Sequence, residues 1–210
     1  METDGPTQPG GKQRLIEAAF RLAARNGNSL SSLGLRELAR EAGLNHNTFY
    51  RHFETLEDLG HAAAAEVAGK FMAAMKEIRR NAARHADASV GAAEYFLDWA
   101  RDNSSVLRIG VRELHNAESP MRKAMQRVIH EIATESVDQI TSMKLVPGAK
   151  PDALLQATTS ITYYMCYRAL DYLESPRQRR VIRDDLVSYM RAQFLGRLAL
   201  QQAAKKPFEA

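Results

Sequence analysis

The chain has 210 residues, 45% of them hydrophobic and 26% charged, with a net charge of +4. That length suits one ordinary domain, or a small domain joined to a larger one, and the composition is that of a globular protein. The single cysteine, Cys166, excludes an internal disulfide and suits a reducing cytoplasm, no apolar run approaches the roughly 20 residues that span a bilayer, and the few aromatics argue against stacking on extended single strands.

The pattern is helical almost throughout, with prolines and glycines between the periodic segments. No stretch alternates with period two for long enough to suggest a sheet, and no repeat is evident. Residues 1–11 read as a polar tail rich in Gly and Pro. A first helix is predicted over about 12–26, with Leu15, Ala19, Leu22 and Ala23 on one face and Gly27 as its stop. A second over 35–42 places Leu35, Leu38, Ala39 and Ala42 at i, i+3, i+4, i+7, and Gly43 supplies a turn. A third, about 45–52, has Phe49 and Phe53 as inward anchors. Thr55 caps a fourth helix to about residue 84, with Glu57 and Asp58 in its first turn. Further helices follow over about 88–102, 105–115, 119–145 (Ser119 as cap, Pro120 in its first turn), 151–173 and 176–204, and KKPFEA is expected to fray. Cys166 falls in an apolar helical run and is expected to pack in the core.

The segment GLRELAREAGLNHNTFYRHF, residues 34–53, carries the most information. A short amphipathic helix, a glycine turn and a shorter helix with a polar outer face make a helix-turn-helix, whose second helix enters the major groove. Its spacing puts His46, Asn47, Tyr50 and Arg51 on one face. Asn pairs with adenine edges, while His or Thr reaches bases or phosphates. Tyr50 and His52 suit phosphate contacts, which fix register without reading sequence. Arg36 can reach a guanine or the backbone, and the helix start at Thr55 offers amides to a phosphate. From Lys12 to Phe53, seven basic residues (Lys12, Arg14, Arg21, Arg25, Arg36, Arg40, Arg51) face three acids (Glu17, Glu37, Glu41). This surplus equals the net charge of the whole chain and suits a phosphate backbone. A solvated basic face or a plain helical hairpin would have the same composition.

The segment resembles the DNA-binding domain of the TetR family of bacterial transcriptional regulators. The likeness runs from RLIEAAFRLAARNG through LRELAREAGLNHNTFYRHF to LEDLGHAAA, about the first third of the chain. TFYRHF is close to the family's usual T-L-Y-x-H-F. The resemblance implies DNA contacts at Arg36, Asn45, His46, Asn47, Thr48, Tyr50 and His52. Two positions depart from the pattern: Gly34 replaces the usual Ser or Thr cap, and Leu56 stands where many members carry a lysine.

The fold class implied is all-α, with about nine helices. A three-helix DNA-binding domain (12–57, motif 34–53) precedes a helical ligand-binding and dimerisation domain (58–204). On the last two helices, Ala157, Ile161, Tyr164, Met165 and Ala169, and Val181, Leu186, Met190, Phe194 and Leu198, form stripes that resemble the family's dimer-forming bundle. Core packing within the chain is the other reading of these stripes. A homodimer would let two recognition helices read a palindromic operator. Phe71, Met75, Phe96 and Trp99, with Met72, Leu97, Leu107 and Ile109, either line an adaptable apolar pocket or form ordinary core. Arg101, Arg108 and Arg112 either meet an anionic group or lie solvated on the surface.

FLDWARDNSSVLRIGVREL and ALDYLESPRQRRVIRDDLVSYMRAQFLG are similar to TetR-family regulators of unsaturated fatty-acid synthesis, which sense long-chain acyl thioesters. The resemblance implies a cytoplasmic, ligand-responsive repressor controlling fatty-acid synthesis or desaturation, with a long-chain acyl-CoA as effector. The alternative is a TetR-type repressor answering another hydrophobic ligand, such as a drug or metabolite. No cofactor, metal site, catalytic residue or membrane insertion is expected. Glu113, His115 and Ser119 suggest a hydrolytic set on paper, and Glu131 with Glu135 a carboxylate pair. Neither has a nucleophile elbow or a metal-ligand spacing. A nucleoid protein binding DNA without sequence preference is the remaining alternative.

Overall fold

The structure is a computed structural model that describes residues 10–25, 30, 33–85, 88–119 and 121–204, with no side-chain description for 82–85. The tail at 1–9, the helix stop at Gly27, Pro120 and the KKPFEA end lie outside the described residues. Among those described, every regular element is helical: α1 (Gly11–Arg25), α2 (Leu35–Glu41), α3 (Asn47–Tyr50), α4 (Leu56–His85), α5 (Ala88–Asp102), α6 (Ser104–His115), α7 (Arg122–Ser142), α8 (Pro151–Glu174), a 3₁₀ turn (Pro176–Gln178) and α9 (Arg179–Ala203). No described helix is long and apolar enough to cross a membrane.

The chain divides into two compact units. The first comprises residues up to 66 together with 108–126. The apolar face of α1 buries Leu15, Ala18, Ala19, Leu22 and Ala23 against Leu38, Phe49 and Phe53. Ile109 and Met121, from distant parts of the sequence, complete this core. Full burial of a side chain such as Phe49 contributes about 2–3 kcal/mol of transfer free energy.

The second unit comprises 67–107 and 127–210. Here α8 and α9 make the most extensive pairing, and α5 packs on both. The stripes expected to meet a partner turn inward instead: Ala157, Ile161, Met165, Ala169, Leu186 and Met190 are buried within the chain. Tyr164 stacks on Tyr189, and Phe194 packs against Val137, Ile140 and Leu154, while Leu198 is half-buried. Of those residues only Val181 is well exposed, at 62%. The physical reason is that helical periodicity marks an apolar face without saying which chain covers it. Cys166 has its thiol pushed up to about 12 by burial, in keeping with a packing role.

α7 is shorter than expected at both ends. Ahead of it Ser119 Oγ accepts the Met121 amide at 3.0 Å, the kind of bond an N-cap side chain makes, and the regular helix runs Arg122–Ser142. At the other end Lys144 takes the left-handed conformation, with φ 53°. Lys144 N–H donates to Thr141 O and Leu145 N–H to Ile140 O, which closes the helix before Leu145.

Candidate nucleic-acid interface

Local chemistry builds the bihelical motif. Gly34 stands before α2 in extended backbone without a side-chain cap, so the first turn relies on Leu38 N–H donating to Gly34 O at 2.9 Å. At the far end Gly43 has φ +64°, a conformation glycine adopts without steric cost. Gly43 N–H donates to Arg40 O at 3.0 Å and Leu44 N–H to Ala39 O at 2.9 Å, a Schellman closure. Arg14 on α1 ties this turn down by donating to Gly43 O at 3.0 Å.

The recognition helix is a single turn, Asn47–Tyr50, shorter than the 45–52 expected. Asn45 Oδ1 accepts the Asn47 N–H at 2.9 Å, so an Asx turn occupies the positions read as helix, and Phe53 N–H to Phe49 O continues the coil past Tyr50. Phe49 and Phe53 anchor it inward at 0% and 5% exposure, and Tyr50 stands out at 56%. Asn45, Asn47, Arg51, His52 and Arg36 are exposed, whereas His46 and Thr48 are half-buried. The His46 ring meets Tyr50 edge-on at 5.7 Å, and its buried Nδ1 has no hydrogen-bond partner among the described residues.

Thr55 and Asp58 cap α4 reciprocally. Asp58 N–H donates to Thr55 Oγ1 at 3.1 Å, and Thr55 N–H donates to Asp58 Oδ2 at 2.9 Å. This is a capping box with an aspartate in the third position.

The basic surplus is partly spent inside the unit. Arg21 and Arg25 both pair with Glu41, at 3.1 and 2.5 Å, and hold its carboxyl below the usual range, Arg25 contributing most. Arg14 serves the Gly43 turn. Lys12, Arg36, Arg40 and Arg51 have no acidic partner among the described residues, and Lys12 lies 5.9 Å from the Phe53 ring centroid. The cations of this segment that meet no acid among the described residues are therefore these four and Arg14, whose bond to a neutral carbonyl leaves its charge intact, rather than all seven.

The seven residues read as ligand candidates are divided between the two units. Phe71, Phe96 and Trp99 form an aromatic cluster in the second unit, with centroids 5.5–5.9 Å apart, joined by Tyr95, whose hydroxyl pKa is raised by burial. Met75 is buried in the same unit. Arg101 is exposed and pairs with Asp98 and Asp102. Arg108 and Arg112 fall in the first unit, half-buried and exposed respectively. The sequence reading missed Arg79 on α4, which donates to Gln139 Oε1 at 2.5 Å and Ser136 Oγ at 3.1 Å. Its signal was its phase, i+8 from Phe71 and i+4 from Met75 on one stripe.

The supposed hydrolytic set has another arrangement. Ser119 donates to Glu113, and His115 Nδ1 lies 2.8 Å from the Val111 carbonyl. Glu131 and Glu135 are exposed on α7. No group of three or more His, Cys, Asp or Glu among the described residues is placed to hold a metal.

The fold and this motif define an all-helical chain with an N-terminal helix-turn-helix unit. Residues 15–63 match the family model described as "Bacterial regulatory proteins, tetR family". The chain is similar in structure to a putative TetR-family transcriptional regulator from Syntrophomonas wolfei, at TM-score 0.68 and 11% identity, covering 88% of this chain and 95% of that one. It is also similar to the multidrug binding protein EbrR complexed with imidazole (TM-score 0.61, 23% identity, 87% and 96% covered). A third likeness is to the fatty acid degradation regulator FadR from Bacillus halodurans (TM-score 0.63, 14% identity, 89% and 97% covered). The fold is thus TetR-like, and the family match is confined to the N-terminal segment that holds the helix-turn-helix.

Proposed function

We propose that the chain is a ligand-responsive DNA-binding transcriptional repressor that acts as a homodimer on a palindromic operator in the cytoplasm. The observation that carries this reading is the recognition turn itself. Phe49 and Phe53 fix it to the core, so Asn47, Tyr50 and Arg51 project to solvent on a rigid support. Asn47 and Thr48, with His46 and Asn45, are the base-reading candidates, while Tyr50, His52, Arg51, Arg36 and the α4 start at Thr55 hold phosphates. Pairing with a second copy is supported by apolar residues left exposed on α8 and α9: Tyr167, Val181, Leu195 and Leu200. Val181 and Leu195, two heptads apart, share a face of α9.

The effector belongs to the second unit. One helix, α4, contains residues of both units, so a ligand favouring one arrangement of α4 would change the separation of paired recognition helices. A long-chain acyl-CoA, with control of fatty-acid synthesis or desaturation, is the effector we propose on the sequence likeness. The neighbouring EbrR structures, solved with imidazole and ethidium, support the alternative of another hydrophobic ligand.

Gel-shift titration of His46→Ala and Tyr50→Ala tests the reading. The first should relax sequence preference, and the second should weaken binding to all sequences. Undiminished operator affinity in both would overturn the placement of the recognition helix. Mass spectrometry of ligand co-purifying with the native protein, followed by its effect on operator binding, tests the effector.

A further inference from the structure

Arg79 is a cation set among neutral partners. Its guanidinium has five N–H donors, and the two hydrogen bonds it makes go to Gln139 and Ser136, both themselves buried. Glu135, exposed on α7, accepts a bond from Gln139 Nε2 at 3.1 Å and acts on Arg79 only as a charge out of contact. Burial pushes the Arg79 pKa down to about 10, with Glu135 opposing that shift. Several other arginines of this unit meet carboxylates in contact: Arg179 and Arg183 with Glu94, Arg179 with Asp98, and Arg168 with Asp171 and Asp185, whereas Arg197, towards the end of α9, donates to the neutral Gln156. Arg79 itself is half-buried, and a cation drawn partly out of water without a contacting countercharge is costly unless something supplies one.

Its position says what would. Phe71, Met75 and Arg79 recur every four residues along α4, so they follow one another down a single stripe, spanning about 12 Å from first to last. Phe71 belongs to the aromatic cluster with Phe96 and Trp99, and Met75 is buried between the two ends. The stripe is apolar and aromatic at one end and cationic at the other.

We infer that Arg79 is the anchor for the oxyanion head of an amphipathic effector whose apolar body lies along Met75 and Phe71. This rests on the effector-responsive reading of the second unit and specifies it: an anion with an apolar chain, rather than a neutral or cationic compound. The head is a carboxylate or a phosphate, chemistries that a guanidinium binds alike through paired N–H donors.

Trp99 is the chain's single tryptophan and sits in the cluster, so its fluorescence reads occupancy. The full-length protein is titrated with dodecanoate, dodecyl phosphate and dodecanol, the two anions below their micelle concentrations and the alcohol below its solubility limit. At least one of the two anions should bind about tenfold or more tightly than dodecanol, the loss expected for a charged hydrogen bond. Arg79→Gln should bring the anions down to the affinity of dodecanol and leave dodecanol unchanged. Arg79→Lys, which keeps the charge, should restore part of the preference and guards against a folding defect in the first variant. Whichever anion is preferred identifies the head group. Equal binding of all three probes to the native protein, binding of none, or an anion preference that survives Arg79→Gln would overturn the inference. Gel shifts run alongside separate the two readings: intact operator binding with no anion preference discards the anchor alone, whereas absence of specific DNA binding discards the regulator.

Discussion

The hydroxyl of Ser119 donates to the carboxylate of Glu113 at a buried site, and the other carboxylate oxygen accepts the Leu30 amide at 2.6 Å. Ser119 Oγ also accepts the Met121 amide at 3.0 Å. Glu113 on α6 thus binds the segment that leads into α2 and the turn that leads into α7, all within the first unit. The same side chains that looked like part of a hydrolytic set are an internal brace.

Glu113→Ala removes the acceptor for two buried donors. It should lower the free energy of unfolding by about 2–3 kcal/mol, measured by urea denaturation. In a double-mutant cycle with Ser119→Ala, the two losses should couple by more than about 0.5 kcal/mol. Strict additivity would show that the two side chains act independently.

The Thr55–Asp58 box predicts a smaller effect. Thr55→Ala should cost about 1 kcal/mol, and Thr55→Ser should cost little because it keeps the hydroxyl. Equal losses in the two variants would contradict the cap and point to the threonine methyl instead.

Glu94 gives a prediction with a pH sign. Arg183 and then Arg179 hold its carboxyl below the usual range. A carboxyl depressed in the folded state stabilises above its unfolded pKa, about 4.3, and that contribution fades as pH falls through the lower folded value. The side chain is 36% exposed, so the pairing is worth about 0.5–1 kcal/mol after screening. Glu94→Gln should therefore melt about 1–4 °C below the native protein at pH 7, and the gap should close below the usual carboxylate range. A gap that persists unchanged at pH 3 would show that the loss is not electrostatic.

What the sequence disclosed followed the range of each interaction. The inner face of α1 at Leu15, Ala19, Leu22 and Ala23, the bend at Gly43 and the cap at Thr55 depend on residues within a turn or two of one another, and all were legible. The recognition turn was legible in its anchors, Phe49 and Phe53, but not in its length, because the Asn45 side chain competes with the helix for the Asn47 amide. The end of α7 was misplaced because Lys144 takes a conformation that glycine usually marks. Long-range pairings left no local trace. Nothing in the sequence announces that Ile109 and Met121 join the core of α1, or that Arg21 and Arg25 meet Glu41. The apolar stripes of α8 and α9 were found, but their covering was not, since a core face and a partner face share one period. Arg79 passed unnoticed because its hydrogen-bond partners lie on α7, some 57 to 60 residues further along.

The most direct test of the account is selection of bound sequences from a randomised duplex library by the purified full-length protein, read by sequencing. The account predicts one enriched palindrome with half-sites about one helical turn apart, or a whole multiple of that, as two symmetry-related recognition helices require. The Asn47→Ala variant should lose discrimination at a symmetric pair of positions within it. Recovery of unrelated sequences with no shared motif would contradict the account, as would a motif without symmetry or one that Asn47→Ala leaves unchanged.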